Sequence, residues 1–202
     1  MGLISSLLAS AVVAAGPATP LPWFTLGDYP MKAFEREWQG VATFGVLVDP
    51  SGRPANCSII RSSGYEALDR ETCFVAMKRA RFTPAHGPDG RAAYGLFRSQ
   101  VVWARPDRPA VQRDPGPDLE VSVSELPAGT QLPAAVKVAY FVDASGSPSS
   151  CTVLPESARQ PAQLVEAACK QLFGQAPRSA VTASGGPVPV VKTAAVEFKV
   201  GK

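Results

Sequence analysis

The sequence has little of the material from which catalytic and metal sites are usually built. It contains a single histidine, His86, in a loop rich in glycine and proline, and four cysteines, none of them in a Cys-x-x-Cys pair. A nucleophilic site needs a base beside the nucleophile, and a zinc or redox site needs closely spaced ligands. We therefore expect no enzyme activity, no catalytic residue, no metal and no cofactor, and take His86 to be an ordinary loop residue.

The chain also lacks a strong excess of charge. Lys+Arg number 20 against 17 Asp+Glu, a formal net charge of +3, and Lys78, Arg79 and Arg81 cluster at the end of a predicted helix. Cations are favourable at a helix C-terminus, and nucleic-acid binding requires a denser basic face. We expect no nucleic-acid partner. A hydrophobic content of 46% with 18% charged residues is typical of a globular protein.

Long hydrophobic runs are missing as well. The first fifteen residues, MGLISSLLASAVVAA, are apolar and small, but a membrane-spanning helix needs about 20 such residues. The pattern predicts a signal peptide and leader over residues 1–20, cleaved near Ala15, and hence an exported protein. No Lys or Arg precedes the apolar run, so an uncleaved leader that anchors the chain in the inner membrane is the alternative.

The cysteines agree with export, because they sort into two similar pairs. Cys57 and Cys73 lie 16 residues apart, Cys151 and Cys169 lie 18 apart, and each pair joins a predicted strand to a predicted helix. In an oxidising compartment such pairs form disulfides, each contributing about 3 kcal/mol through loop closure. Buried free thiols of a cytosolic protein are the alternative.

The segment from Gly40 to Ala85 predicts a strand, a turn, a strand and a helix. Two alternating apolar runs flank Asp49-Pro50-Ser51-Gly52, a sequence suited to a tight turn. Ser63 and Glu66 have the spacing of a capping box, which predicts a helix over about 64–80. Its buried stripe would consist of Tyr65, Leu68, Thr72, Val75, Ala76 and Ala80, with Cys73 at the margin and Phe74 pointing away.

Further elements are predicted on either side of this segment. Pro30 at the first helical position, with Asp28 as a possible cap, predicts a helix over about 31–38 that buries Phe34 and Trp38 on one face. The extended run from Ala92 to Trp103 predicts a third strand at the edge of the sheet.

The second half of the chain repeats this order in abbreviated form. A shift of 94 residues aligns Val48-Asp49-Pro50-Ser51-Gly52 with Val142-Asp143-Ala144-Ser145-Gly146, and brings Cys57 onto Cys151. A helix opened by Pro161 and a last strand from about Val188 to Val200 follow. Prolines at 106, 109, 115 and 117 predict a stiff linker over 106–118. We therefore expect domains over 21–105 and 119–202.

One ordered set of residues in the first half matches the pattern of a known family. The set is Asp28-Tyr29-Pro30, Ala33, Gly40, Phe44 to Asp49, Gly52, Ser62-Ser63-Gly64, Leu68-Asp69 and Arg81-Phe82-Thr83-Pro84-Ala85. With it the first half resembles the C-terminal domain of TonB, the periplasmic energy transducer of Gram-negative bacteria. The similarity is strong over about 28–103 and faint over about 134–200, and the cysteine pair resembles a disulfide-bearing subgroup of the family.

The resemblance implies an α+β fold of two small modules, each a three-stranded antiparallel sheet with one or two helices on one face. It also implies a periplasmic, non-enzymatic module that binds a protein partner of the cell envelope, such as an outer-membrane receptor, and no small-molecule substrate. In the family, a receptor segment adds as a strand to the sheet edge. The matching contacts are Tyr94, Leu96, Arg98, Gln100 and Val102, and the alternative is an edge that stays solvated or forms a homodimer.

Departures from the family leave two further alternatives open. Leu26-Gly27 stands where the family has Gln-Pro, and only a short leader and about ten residues precede the domain. An energy transducer for outer-membrane transport, anchored by the uncleaved leader, is therefore the alternative to a binding module. A more remote one is an enzyme whose site lies between the modules and uses a cysteine or His86.

Overall fold

The computed structural model describes residues 11–18, 23–107, 116–175 and 178–201. Short 3-10 turns at Leu26–Asp28 and Pro155–Ser157 accompany the regular elements. In chain order the helices and strands are β1 (Gly16–Pro17), α1 (Met31–Glu35), β2 (Gly40–Val48), β3 (Pro54–Arg61), α2 (Glu66–Arg79), β4 (Phe82–Thr83), β5 (Ala85–His86), β6 (Ala92–Trp103), β7 (Leu119–Val123), β8 (Ala135–Val142), β9 (Pro148–Val153), α3 (Ala162–Gly174), β10 (Ala180–Val181), β11 (Pro187–Val188) and β12 (Val190–Val200).

One mixed sheet runs through both halves of the chain. Its order is β3-β2-β6-β12-β8-β9, with β5 beside β6 and β7 beside β12. The triplets β3-β2-β6 and β12-β8-β9 are each antiparallel, as predicted, and the α+β class is confirmed. The two triplets meet where Tyr94 pairs with Val190 and Gly95 with Val191 in parallel.

This junction corrects the expectation that the third strand forms a sheet edge. β6 lies between β2 and β12, because the 11-residue strand β12 pairs with β8 from Val190 to Glu197 and its first two residues also reach β6. The contact covers only Tyr94 and Gly95, while β2 pairs with β6 from Gly95 to Trp103.

The core of the first half lies between α2 and one face of β2. Phe44, Val46 and Val48 alternate along the strand and are fully buried with Leu68 of the helix. The predicted helical stripe is therefore the packed face, and Phe74 is exposed as expected. A buried hydrogen bond of 2.9 Å from Trp103 Nε1 to Thr72 Oγ1 ties β6 to α2.

The start of α2 differs from the predicted capping box. The helix begins at Glu66 after Tyr65, whose side chain makes no capping bond. The carboxylate of Asp69 instead accepts hydrogen bonds from the N–H of Ser63, at 2.8 Å, and from the hydroxyl of Ser62. Asp69, one turn inside the helix, thus holds the loop that precedes α2, which is the role the capping box assigned to Glu66.

The predicted helix over 31–38 is shorter and packs differently. α1 ends at Glu35, and Glu37 has a φ of 56°, which takes the chain out of the helix. Phe34 and Trp38 do not share a buried face: Phe34 is exposed and Trp38 stacks on Tyr65, with ring centroids 5.0 Å apart. Asp28 does not cap α1, because Arg79 binds its carboxylate.

The second half packs on the opposite face of the sheet. Val136, Val138 and Val142 of β8 are buried against Leu164 and Ala168 of α3. Leu47 of β2 and Leu96 of β6 join this cluster, since they point away from α2. The second core therefore extends under the first half.

Both predicted cysteine pairs are bonded. The S–S distance is 2.03 Å for Cys57 and Cys73 and 2.00 Å for Cys151 and Cys169. In each half the bond joins the second strand of the turn to the helix, so it fixes the helix against the sheet. Pro161 precedes the first residue of α3, as predicted.

Residues 12–18 pack beside the exit from α2. Gly16 and Pro17 of β1 pair with β4, and Val13 forms an antiparallel bridge with His86. Val12 is buried with Ala139 and Val191 of the second half. Residues 1–10, 19 and 20 of the predicted leader lie outside the described ranges, and residues 11–18 are part of the fold of the uncleaved chain.

Two predictions fall partly outside the described ranges as well. Of the proposed linker over 106–118, only residues 106–107 and 116–118 are described, and the division into domains stays a prediction. Among the helices that the structure describes, none has the length and apolarity to cross a membrane.

Candidate partner-binding edge

β6 has two unequal edges. One is paired with β2 from Gly95 to Trp103. On the other, within the described residues, β12 pairs only with Tyr94 and Gly95 before the two strands diverge. From Leu96 to Trp103, the backbone N–H and carbonyl groups of β6 that face away from β2 therefore pair with no described strand. Such a row of groups can accept a further strand.

The diverging strands border a cavity of about 720 Å³. Leu96, Arg98 and Gln100 line it from β6, and Thr193 to Ala195 line it from β12. Further lining residues lie before β7, in the N-terminal segment and on β8: Gly116, Pro117, Asp118, Ala14, Ala15, Ala135 and Lys137. The cavity therefore lies beside the part of β6 that no described strand pairs with, and it extends across β12 to β8.

The five residues predicted from the sequence share one face of β6 but have different environments. Tyr94 and Leu96 are partly buried against the second core, and the junction with β12 takes up the backbone at Tyr94. Gln100 Nε2 donates to Thr43 Oγ1 at 3.2 Å. Val102 is half-buried. The part of the predicted surface that remains open begins at Leu96.

Arg98 makes the one charged contact across the gap that the described residues show. Its Nη1 donates to Asp118 Oδ1. Asp118 Oδ2 accepts from the N–H of Ala195 at 2.9 Å, and the N–H of Asp118 donates to the carbonyl of Ala195 at 2.8 Å. Burial raises the pKa of nearby Tyr140, Asp118 raises it further, and Arg98 opposes the shift.

Sequence reasoning missed Asp118 and the β12 wall of the gap. Asp118 falls at the end of the predicted linker because four prolines precede it, although the alternation of Leu119, Val121 and Val123 after it signals a strand. β7 does pair with β12, in parallel. The approach of β12 to β6 depends on tertiary contacts that no local pattern reports.

Aromatic side chains support β6 from the α2 face. The ring of Trp23 lies 5.1 Å from Phe82 and 5.7 Å from Phe97 of β6, measured between centroids. The segment that carries Trp23 is anchored at Asp28, whose carboxylate accepts from Arg79 Nη1 at 2.6 Å and Nη2 at 2.7 Å. Thr25 also donates to it, through its N–H and its hydroxyl.

This anchor makes stability sensitive to acid. The Arg79 hydrogen bonds, helped by Thr25, lower the pKa of Asp28 from an ordinary 3.8 to about 2. The folded state therefore binds the Asp28 proton more weakly than the unfolded chain does. The stabilisation is present above about pH 4 and is lost as the pH falls towards 2. We expect Asp28→Asn to be less stable at pH 7 and to lose less stability between pH 4 and 2.

Urea unfolding at a series of pH values measures this effect. Asp89→Asn, at an exposed loop carboxylate 3.8 Å from Arg91, is the matched control and should follow the wild type. Equal acid sensitivity in Asp28→Asn and the wild type would contradict the assignment.

The structure also bears on the enzyme alternative. All four cysteines are in disulfides, so none is available as a thiol nucleophile. The backbone of His86 bonds to Val13 in both directions, at 2.9 and 3.0 Å. Within the described residues no group of three or more His, Cys, Asp or Glu side chains is placed to hold a metal ion.

The first half of the chain is a small α+β module in which strand β6 has an edge from Leu96 to Trp103 that no described strand pairs with. Residues 27–97 match the family model of the Gram-negative bacterial TonB protein C-terminal. The resemblance that the motifs predicted is confirmed over this segment.

A curated relative supports this resemblance. The chain is 40% identical over 62 residues to Protein tonB2 of Pseudomonas aeruginosa, covering 31% of this chain and 23% of that protein. The chain thus spans less than a quarter of that relative's length. No solved structure matches the present chain. The family match ends at residue 97, so the repeat in the second half stays a prediction.

Proposed function

We propose that the chain is a non-enzymatic, periplasmic TonB-like protein that binds a cell-envelope partner by adding a strand of that partner to β6. The observation that carries the proposal is the edge of β6 from Leu96 to Trp103, with which no described strand pairs and which borders a cavity of about 720 Å³. The family match over residues 27–97 supports an outer-membrane receptor as the partner.

Backbone hydrogen bonds would provide most of the affinity in this mode. A strand that lies beside β6 pairs with the N–H and carbonyl groups that face the gap, and side-chain pockets then select its sequence. Leu96, Arg98, Gln100 and Val102 lie on one face at a spacing of two residues, so they would contact alternate side chains of the partner. Tyr94 would set the end of the site, because its backbone is already paired with Val190.

Proline substitution in β6 tests this mode of binding. Successive N–H groups along a strand point to opposite edges, so one of Ser99 and Gln100 donates towards β2 and the other towards the gap. Proline at the gap-facing position removes a donor without breaking the β2 ladder. We expect this variant to keep the wild-type unfolding midpoint and to lose about tenfold or more in receptor affinity.

The other proline variant and two alanine variants serve as controls. Proline at the β2-facing position is expected to lower the unfolding midpoint. The unfolding midpoints of the two proline variants therefore show which of Ser99 and Gln100 faces β2 and which faces the gap. Ser99→Ala keeps its N–H group and should retain capture of detergent-solubilised outer-membrane receptors. Gln100→Ala also keeps its N–H group but removes a contact side chain, so it should lose less affinity than proline at the gap-facing position. Undiminished capture by the stable proline variant would show that β6 is not the binding edge.

The mature N-terminus decides between the free module and an anchored transducer. We propose that the leader is cleaved near Ala15, which would leave Gly16 and Pro17 to pair with β4. Intact-mass measurement of the protein purified from cells is expected to show a chain that starts near Gly16. A chain that starts at Met1 and is recovered with the membrane would favour the transducer.

A further inference from the structure

The Arg98–Asp118 contact lies where a partner strand would have to enter the gap. Arg98 belongs to β6, whereas Asp118 precedes β7, which is paired with β12. The side chains are 32% and 30% exposed, so solvent reaches the contact although both groups are largely covered. The pair therefore bridges the two walls at the solvent-facing side of the cavity.

Asp118 also takes the hydrogen-bonding position of a strand residue. Its N–H donates to the carbonyl of Ala195 at 2.8 Å, and its carboxylate accepts from the N–H of Ala195 at 2.9 Å. A residue of a paired strand would satisfy the same two groups. One carboxylate oxygen of Asp118 thus accepts a hydrogen bond from the backbone of β12, and the other oxygen binds the guanidinium of Arg98 on β6.

We propose that Asp118 is an internal occupant of the partner-binding gap, and that the preferred partner is an extended segment with a carboxylate side chain facing Arg98. This inference rests on the proposed function. A strand that lies along β6 displaces Asp118 from Arg98. The partly covered guanidinium then needs a new acceptor, and an ionised carboxylate is the strongest that a peptide can supply.

Synthetic peptides test the inference directly. The probes are extended decapeptides of alternating valine and threonine with Glu, Gln or Lys at a central position, and binding to the full chain is measured by calorimetry. We expect the wild type to bind the Glu peptide more tightly than the Gln peptide, and the Lys peptide most weakly. Arg98→Gln should abolish this order.

Asp118→Asn separates the competition of Asp118 with the peptide for Arg98 from the role of Asp118 in folding. The asparagine oxygen can still accept from the N–H of Ala195, but it no longer carries the charge that competes for Arg98. We expect this variant to bind the Glu peptide about tenfold more tightly than the wild type does. Asp118→Ala, if its unfolding midpoint is retained, should show the same gain. Glu120→Gln removes a nearby carboxylate that is bound to Lys199 instead, and should bind like the wild type.

The outcomes distinguish this inference from the proposed function. If the Glu peptide binds in a proline-sensitive manner but Asp118→Asn gains nothing, or the wild type does not prefer Glu, the role of Asp118 is wrong and strand addition stands. If no peptide binds and receptor capture is insensitive to proline in β6, both proposals are overturned.

Discussion

Replacement of Gly52 by alanine is expected to lower the free energy of unfolding by about 3 kcal/mol. Gly52 ends the turn between β2 and β3 with a φ of +80°, and a Cβ there would lie 2.2 Å from the carbonyl oxygen of Phe82. Both the backbone strain and the clash oppose alanine, because the obstacle is main chain and cannot rotate away. The N–H of Phe82 also donates to the carbonyl of Gly52 at 3.0 Å, so the turn holds the exit from α2 in place.

A second glycine provides a matched control for this substitution. Gly64 has a φ of +98°, but nothing lies within 4 Å of the position its Cβ would take. Gly64→Ala therefore carries the backbone strain without the clash, and we expect it to cost about 1 kcal/mol. The difference between the two variants in urea unfolding isolates the close approach of Phe82. Equal losses would contradict it.

Removal of the Cys57–Cys73 bond is expected to cost about 3 kcal/mol, since the bond closes a 16-residue loop in the unfolded chain. The bond also fixes α2 to β3, on which the packing behind β6 depends. Cys57→Ala, Cys73→Ala and the double variant should lose similar amounts, because each of them breaks the same bond.

Thermal or urea unfolding of the three variants gives the coupling between the two positions. Losses that add in the double variant would mean that the two side chains act independently and that the bond contributes little. The corresponding variants of Cys151 and Cys169, which close an 18-residue loop, should behave in the same way.

The elements of the first half could largely be predicted because local patterns decide them. The run from Ala92 to Trp103 is bounded by loop and proline signals, and the strand has these bounds. The apolar stripe placed α2 within two residues of its observed ends. One error arose where a contact distant in sequence decides the outcome, because Arg79 binds the carboxylate of Asp28, which therefore does not cap α1. The other error is local, since Asp69 rather than Glu66 holds the loop before α2.

The shape of the candidate site could not be predicted in the same way. The residues that face the gap from β6 follow from strand alternation together with the family resemblance. The opposite wall, formed by β12, lies beside β6 only because two residue pairs join the two strands. Nothing in the sequence at Val190 and Val191 distinguishes pairing with both β6 and β8 from pairing with β8 alone. Asp118 gains its position only because β7 pairs with β12.

Amide hydrogen exchange along β6 tests the central claim most directly. The full chain would be measured with and without a synthetic peptide that copies the N-terminal segment of a captured receptor. We predict slower exchange on binding at alternate residues between Leu96 and Trp103, since only the amides facing the gap gain a partner and the others already bond to β2. A saturating peptide that leaves these amides unchanged and protects β3 or β9 instead would contradict strand addition at β6.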